Sequence, residues 1–247
     1  MTRLIAAEIL KLRTTRTFYG FLATIVGLTL LVVILTLAFL DPDDVRDEDV
    51  GSLLTSGSLT GILILVLGVI GMSGEHRHNT ISSTLLAAPD RLRVIGAKAV
   101  AYALAGMVLA AAAFLITAAI VYPTLAVLDV DAGPSAGRLA ELFFGGLLYA
   151  AISGALGVGI GAVVPNQVAA LLGAVIVIFV VDPLLITLAP DVGRYTVSSS
   201  GFSLADGDEG GGDADSLSPV AGGLVYLGWA LAFLGAGWAL LARREIV

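Results

Sequence analysis

An all-α membrane bundle of six spans is the fold this sequence predicts, and three observations predict it. The chain of 247 residues is 57% hydrophobic and only 13% charged, whereas soluble domains average about 25% charged. Its mean hydropathy is +0.98. Six apolar runs of 21 to 24 residues, five of them free of charge, make up more than half of it, each long enough to cross a hydrocarbon core of about 30 Å as a helix. Lipid offers the backbone no hydrogen-bond partner, so such runs must be helical. Their continuous hydrophobicity excludes the alternating strands of an outer-membrane barrel.

The elements follow in order. Residues 1–17 place Ile5, Ile9 and Leu12 at i, i+4 and i+7, with Arg3, Glu8, Lys11 and Arg13 around the other side. This spacing predicts an amphipathic helix lying along the cytoplasmic leaflet, its apolar stripe in the acyl boundary and its cations near anionic headgroups. A plain topogenic basic flank is the alternative. The first span, residues 18–40, has 23 residues and no A-x-A-like site after it, which predicts a retained helix rather than a signal peptide. The next spans are residues 53–73, 99–122, 142–164 and 168–189. Only Pro165-Asn166-Gln167 separates the fourth from the fifth, so these two form a tight helical hairpin, or one is bent or re-entrant. Residues 220–242 are the sixth span. The segment 190–219 before it is acidic, and its part 198–219, rich in Gly, Ser and Asp, reads as a flexible external loop.

Charge sets the orientation. With both termini inside, ten of the 13 Lys and Arg residues fall on the cytoplasmic side and only Arg46, Arg138 and Arg194 fall outside. That is the asymmetry that holds basic loops inside. Fifteen of the 20 acidic residues then face outward, giving the external loops a net charge of −12 and the cytoplasmic segments +6. The pI near 4.7 is a property of the external loops. It fits a surface solvated at high salt better than a cation-gathering vestibule, because exposed fields are screened within about 8 Å.

Several functions are excluded. There is no cysteine, hence no disulfide framework, iron–sulfur site, thiolate nucleophile or Cys-containing zinc site. The longest non-membrane segment has 30 residues, far short of a nucleotide-hydrolysing domain. Neither Lys11 nor Lys98 sits in G-x-x-x-x-G-K-[ST]. A single membrane-spanning domain over residues 1–247 is expected, with no cofactor, no nucleic-acid partner and the lipid bilayer as its surroundings.

The longest cytoplasmic connection, residues 74–98, is the most distinctive stretch. Helix connections in bundles usually take about 2 to 8 residues, so this length predicts a structured element, with a short helix over residues 80–88 stopped by Pro89. Glu75-His76-Arg77-His78-Asn79-Thr80-Ile81, then Thr84 to Pro89, Arg91, Arg93 and Lys98, resembles the loop between the second and third spans of ABC-2 type transporter permeases. Glu8 to Arg16 resembles the start of the same proteins. The resemblance implies six spans with both termini inside, a plasma-membrane location, a second permease chain in the complex, and a separate ATP-binding subunit that drives export through Glu75 to Thr80. Arg91 and Arg93 are then available to pair with acidic groups on that partner. The family usually has Gly where this chain has Asn79, the non-Gly residue best suited to positive φ.

Three rival signals are weaker. Gly71-Met72-Ser73-Gly74 matches the motif around an intramembrane protease serine, but neither His76 nor His78 lies in a span to act as its base. His76-x-His78 points to different sides of a helix and lacks a third metal ligand besides Glu75. Asp182, before Pro183, is the one charge within the six runs. It supports an alternative class, a secondary transporter with Asp182 as a proton or cation relay, or else it caps a break before a re-entrant helix over residues 184–189. Gly157-x-x-x-Gly161 with Ser153, and Gly228, Ala232 and Ala236, predict close-packing helix faces.

Overall fold

The computed structural model describes residues 1–39, 45–55, 57–77, 90–206 and 217–243. Among these residues every regular element is helical: α1 (Thr2–Thr14), α2 (Arg16–Ala38), α3 (Asp47–Leu54), α4 (Gly57–Arg77), α5 (Arg91–Val127), α6 (Ala136–Val163), α7 (Gln167–Ile176), a π-helical turn (Val177–Val181), α8 (Asp182–Leu188), α9 (Pro190–Gly193), α10 (Val197–Asp206) and α11 (Pro219–Arg243). Six stretches are long and apolar enough to cross a membrane: Arg16–Ala38, Asp47–Glu75, Arg91–Val127, Ala136–Val163, Gln167–Leu188 and Pro219–Arg243.

Side-chain caps set several of the ends. Asp90 accepts from the Arg93 N–H at 3.2 Å and Ser135 from the Arg138 N–H at 3.3 Å, starting α5 and α6. Asn166 accepts from Val168 N–H and Ala169 N–H at 3.0 and 3.1 Å. It thus supplies the orphan donors of α7 with an acceptor, and only residues 164–166 separate α6 from α7. At the far end of α5, Asp129 adopts φ 56 and Val130 N–H bonds Leu125 O at 3.0 Å, the left-handed stop that favours Gly or Asn but tolerates Asp.

Helix α6 lies at the centre, against α4, α5 and α11. Hydrocarbon gives helices no hydrophobic drive to associate, so close approach and van der Waals contact must hold them. The sequence supplies that approach with glycine. A Cβ on Gly157 would run into the carbonyl oxygen of Leu65 in α4, one on Gly161 would lie 2.8 Å from that of Val69, and one on Gly68 would lie 2.5 Å from that of Gly154. Across the other face, a Cβ on Gly106 would meet Ala150 O at 2.5 Å. Ser153, also on α6, donates to Tyr149 O at 2.7 Å and accepts from the Tyr226 hydroxyl at 2.8 Å. The one polar knot between α6 and α11 among the described residues is therefore satisfied internally. Gly228, Ala232 and Ala236 instead lie on the exposed side of α11. The small-residue face predicted there has no neighbour within the described chain.

The structure moves several expected boundaries. Helix α5 has 37 residues, about 55 Å of helix, so it projects well beyond the apolar run 99–122. Its first turns, with Lys98, belong to the helix and not to a loop. Helix α4 likewise carries Glu75, His76 and Arg77 as its last turn. Residues 198–206, part of the stretch read from composition as flexible, belong to α10, which packs on α6 and α11. The reason is tertiary: Gly201 admits the ring of Tyr149, and Ser200 and Ala205 are buried, so a Ser- and Gly-rich stretch gains a packed face that its own hydrophobicity does not reveal. The remainder of that segment, residues 207–216, and the helix expected over residues 80–88 lie outside the described residues.

Candidate functional site: a buried charge lattice at the root of the loop

Four charges from three helices meet where α4 ends. Lys98 of α5 donates to Glu8 Oε2 of α1 at 2.5 Å and to Glu75 Oε1 of α4 at 2.9 Å. Lys11 of α1 donates to Glu8 Oε1 at 2.6 Å and to Glu75 Oε1 at 3.0 Å. Glu8, Glu75 and Lys98 are only 6, 8 and 1% exposed. The lattice is neutral overall, and each carboxylate is held by both ammonium groups. Such an arrangement tolerates burial because no charge is left without an opposite. The Tyr102 ring lies 5.8 Å from Lys98 Nζ, within reach of a cation–π contact.

Each partner arrives by a local rule. Glu8 and Lys11 are one turn apart on α1, with Leu12 buried beside them. Lys98 lies two turns into α5, whose N-terminus Asp90 caps. Glu75 lies on the turn of α4 after Gly71, where the Tyr102 ring fills the space a Cβ would need. Burial alone would lower the Lys11 ammonium, but its hydrogen bonds and charge contacts with Glu8 and Glu75 hold it above its ordinary value.

The predicted site residues fare differently. Glu75 is brought into the lattice. Glu8 and Lys11, expected on the polar side of an interfacial helix, face α4 and α5 instead. Ile5 and Ile9 are only half-buried, while Leu10 is 62% exposed, so α1 turns Glu8 and Leu12 inward and leaves Leu10 outward. Arg77 donates to Gln167 Oε1 at 3.4 Å, linking the end of α4 to the start of α7. Arg91 donates to Leu241 O near the end of α11. Arg93 pairs with Asp90 at 2.9 Å in an exposed contact, an interaction worth about 0–1 kcal/mol and readily exchanged. The helical backbone includes His76, whose side chain lies outside the described set, as do His78, Asn79 and Thr80. In sequence Lys98 reads only as a cation of the loop, and its spacing from Glu75 gives no sign that the two pair.

Ser73, in the protease-like motif, donates to Val69 O at 2.6 Å and is fully buried, a packing role inside α4. Asp182 is 2% exposed and accepts from the Ser198 N–H at 2.8 Å. Ser198 is the second residue of α10, so Asp182 caps that helix at its positive end. The backbone runs helically from α7 through the π turn into α8, with Asp182 itself at φ −61, ψ −52. The expected break before residues 184–189 is therefore absent, and a π turn accommodates Pro183 in its place.

Six helices long and apolar enough to cross a membrane, with a buried charge lattice joining α1, α4 and α5, describe a multi-pass membrane bundle. The family model of ABC-2 family transporter proteins matches residues 4–181, and the chain belongs to that family. Membership makes it a multi-pass plasma-membrane permease that associates with an ATP-binding subunit and is not itself a nucleotide-binding enzyme domain. No curated protein matches the chain.

Proposed function

We propose that this chain is the permease of an ABC-2 exporter, lies with both termini in the cytoplasm, pairs with a second permease chain, and takes its drive from a separate ATPase through Glu75 to Thr80. The observation that carries the reading is the lattice itself. Glu75, on the last turn of α4, is ion-paired both to Lys11 of α1 and to Lys98 of α5. A push on the loop root is thereby delivered to three elements together rather than to α4 alone. A subunit without a nucleotide site can be switched only if the driver contacts its two states differently, and a rigid root is what turns such contact into helix movement. Arg93, in its exposed pair with Asp90, is an exchangeable cation for an acidic group on the ATPase.

The test is reconstitution of the chain with the ATPase that co-purifies with it. Glu75→Ala and Thr80→Ala are expected to lower transport-coupled ATP turnover while membrane insertion persists. Unchanged turnover in both variants removes the coupling assignment.

A further inference from the structure

A cleft of about 710 Å³ opens beside the lattice. It is bounded by the α1–α2 corner at Thr15 and Thr17, by the last turn of α4 at Arg77, and by Gln167 at the start of α7. Its deeper wall is apolar, formed by Leu12, Leu67 and Ile70. Among the described residues its charged lining is Lys11, Lys98 and Arg77 against Glu8 and Glu75, a net of one positive charge. Lys11 uses two of its three N–H donors on the carboxylates. Arg77 has given one long hydrogen bond to Gln167 and keeps the rest of its fork for another acceptor.

The position of the cleft narrows what could enter it. Thr15 is the residue at which α1 hands over to the first span, so the cleft mouth lies at headgroup depth. The two spans that flank it, Arg16–Ala38 and Gln167–Leu188, are the least enclosed of the six, and both leave apolar side chains exposed, among them Leu28, Leu31, Val168 and Leu172. A ligand bearing one negative charge and an apolar body matches both the charge and the walls.

We propose that this cleft binds the phosphodiester of an anionic phospholipid, with Arg77 and Lys11 as phosphate donors and the acyl chains leaving between the first and fifth spans. The proposal is independent of the coupling role above, because it requires no ATPase. It is tested on the full chain by native mass spectrometry from detergent, with phosphatidylglycerol, phosphatidylcholine or inorganic phosphate added. The wild type is expected to retain one phosphatidylglycerol in preference to phosphatidylcholine. Arg77→Gln is expected to reduce that retention about fivefold, the worth of one basic residue at a membrane surface, and Thr17→Asp to reduce it by repulsion at an exposed position. Arg13→Gln, outside the cleft, is expected to leave it unchanged. Equal retention of the two lipids, or a loss with Arg13→Gln as large as with Arg77→Gln, would overturn the site. Displacement of the lipid by inorganic phosphate at equal concentration would show a soluble phosphate ligand and overturn the lipid assignment.

Discussion

Lys98 and Glu8, 90 residues apart in sequence, meet at 2.5 Å in a pair that is almost wholly buried. The contact ties the amphipathic N-terminal helix to the extended foot of the third span. Removing one member breaks a buried pair and leaves the lattice with a net charge, a change that typically costs up to about 3–5 kcal/mol. Lys98→Met is therefore expected to lower the thermal midpoint of the detergent-purified chain strongly. Combining it with Glu8→Met should cost less than the two single changes added together, because Lys11 and Glu75 still neutralise each other. Additive losses in a double-mutant cycle would show that the pair is not coupled.

The glycine contacts of α6 make a second, geometric prediction. Gly157→Ala forces a methyl group into the Leu65 carbonyl and should destabilise by about 1–3 kcal/mol, the usual range for overpacking. Gly146→Ala on the same helix meets nothing within 4 Å. It should be neutral or stabilise by up to about 1 kcal/mol, since alanine suits a helix interior better than glycine. Melting curves of the two variants side by side decide it; equal effects would mean that α4 and α6 are not in backbone contact.

Asp182 separates the permease from a charge-relay transporter. As a cap on α10 it needs an acceptor oxygen, not a titratable proton, so Asp182→Asn should retain transport. Asp182→Leu leaves the Ser198 N–H without its acceptor and should cost about 1–3 kcal/mol of stability. Loss of flux in the Asn variant with intact folding would favour a relay instead.

Lys11 gives the pH dependence. Its folded pKa is raised above the ordinary 10.5, so it binds its proton more tightly when folded. The resulting stabilisation is fully present below about 10.4 and is lost as pH rises through the higher folded value. The midpoint difference between wild type and Lys11→Met should hold from neutral pH to about 10 and shrink at more alkaline pH. A difference that grows with alkalinity would contradict the pairing.

The six spans were legible because apolar length is set by bilayer thickness and needs no knowledge of neighbours. The loop around Glu75 was legible as a motif. What composition hid was decided by partners distant in sequence. Glu8, Lys11 and Lys98 each look like ordinary surface charges until α1 folds back against α5. Residues 198–206 look unstructured until Tyr149 seats against Gly201. Asp182 looks like a solitary charge at membrane depth until the amide of Ser198, sixteen residues on, turns it into a helix cap.

The glycine seam also has a mechanical meaning. Where two backbones touch, as α4 and α6 do at Leu65 and Gly157, neither can slide or rotate past the other without collision, so the two helices travel as a single strut. The first and fifth spans, the least enclosed of the six, have no such seam: a Cβ on Gly20, Gly27 or Gly173 would meet nothing within 4 Å. If an ATPase drives the loop as proposed, a thrust at the end of α4 would reach α4 and α6 together.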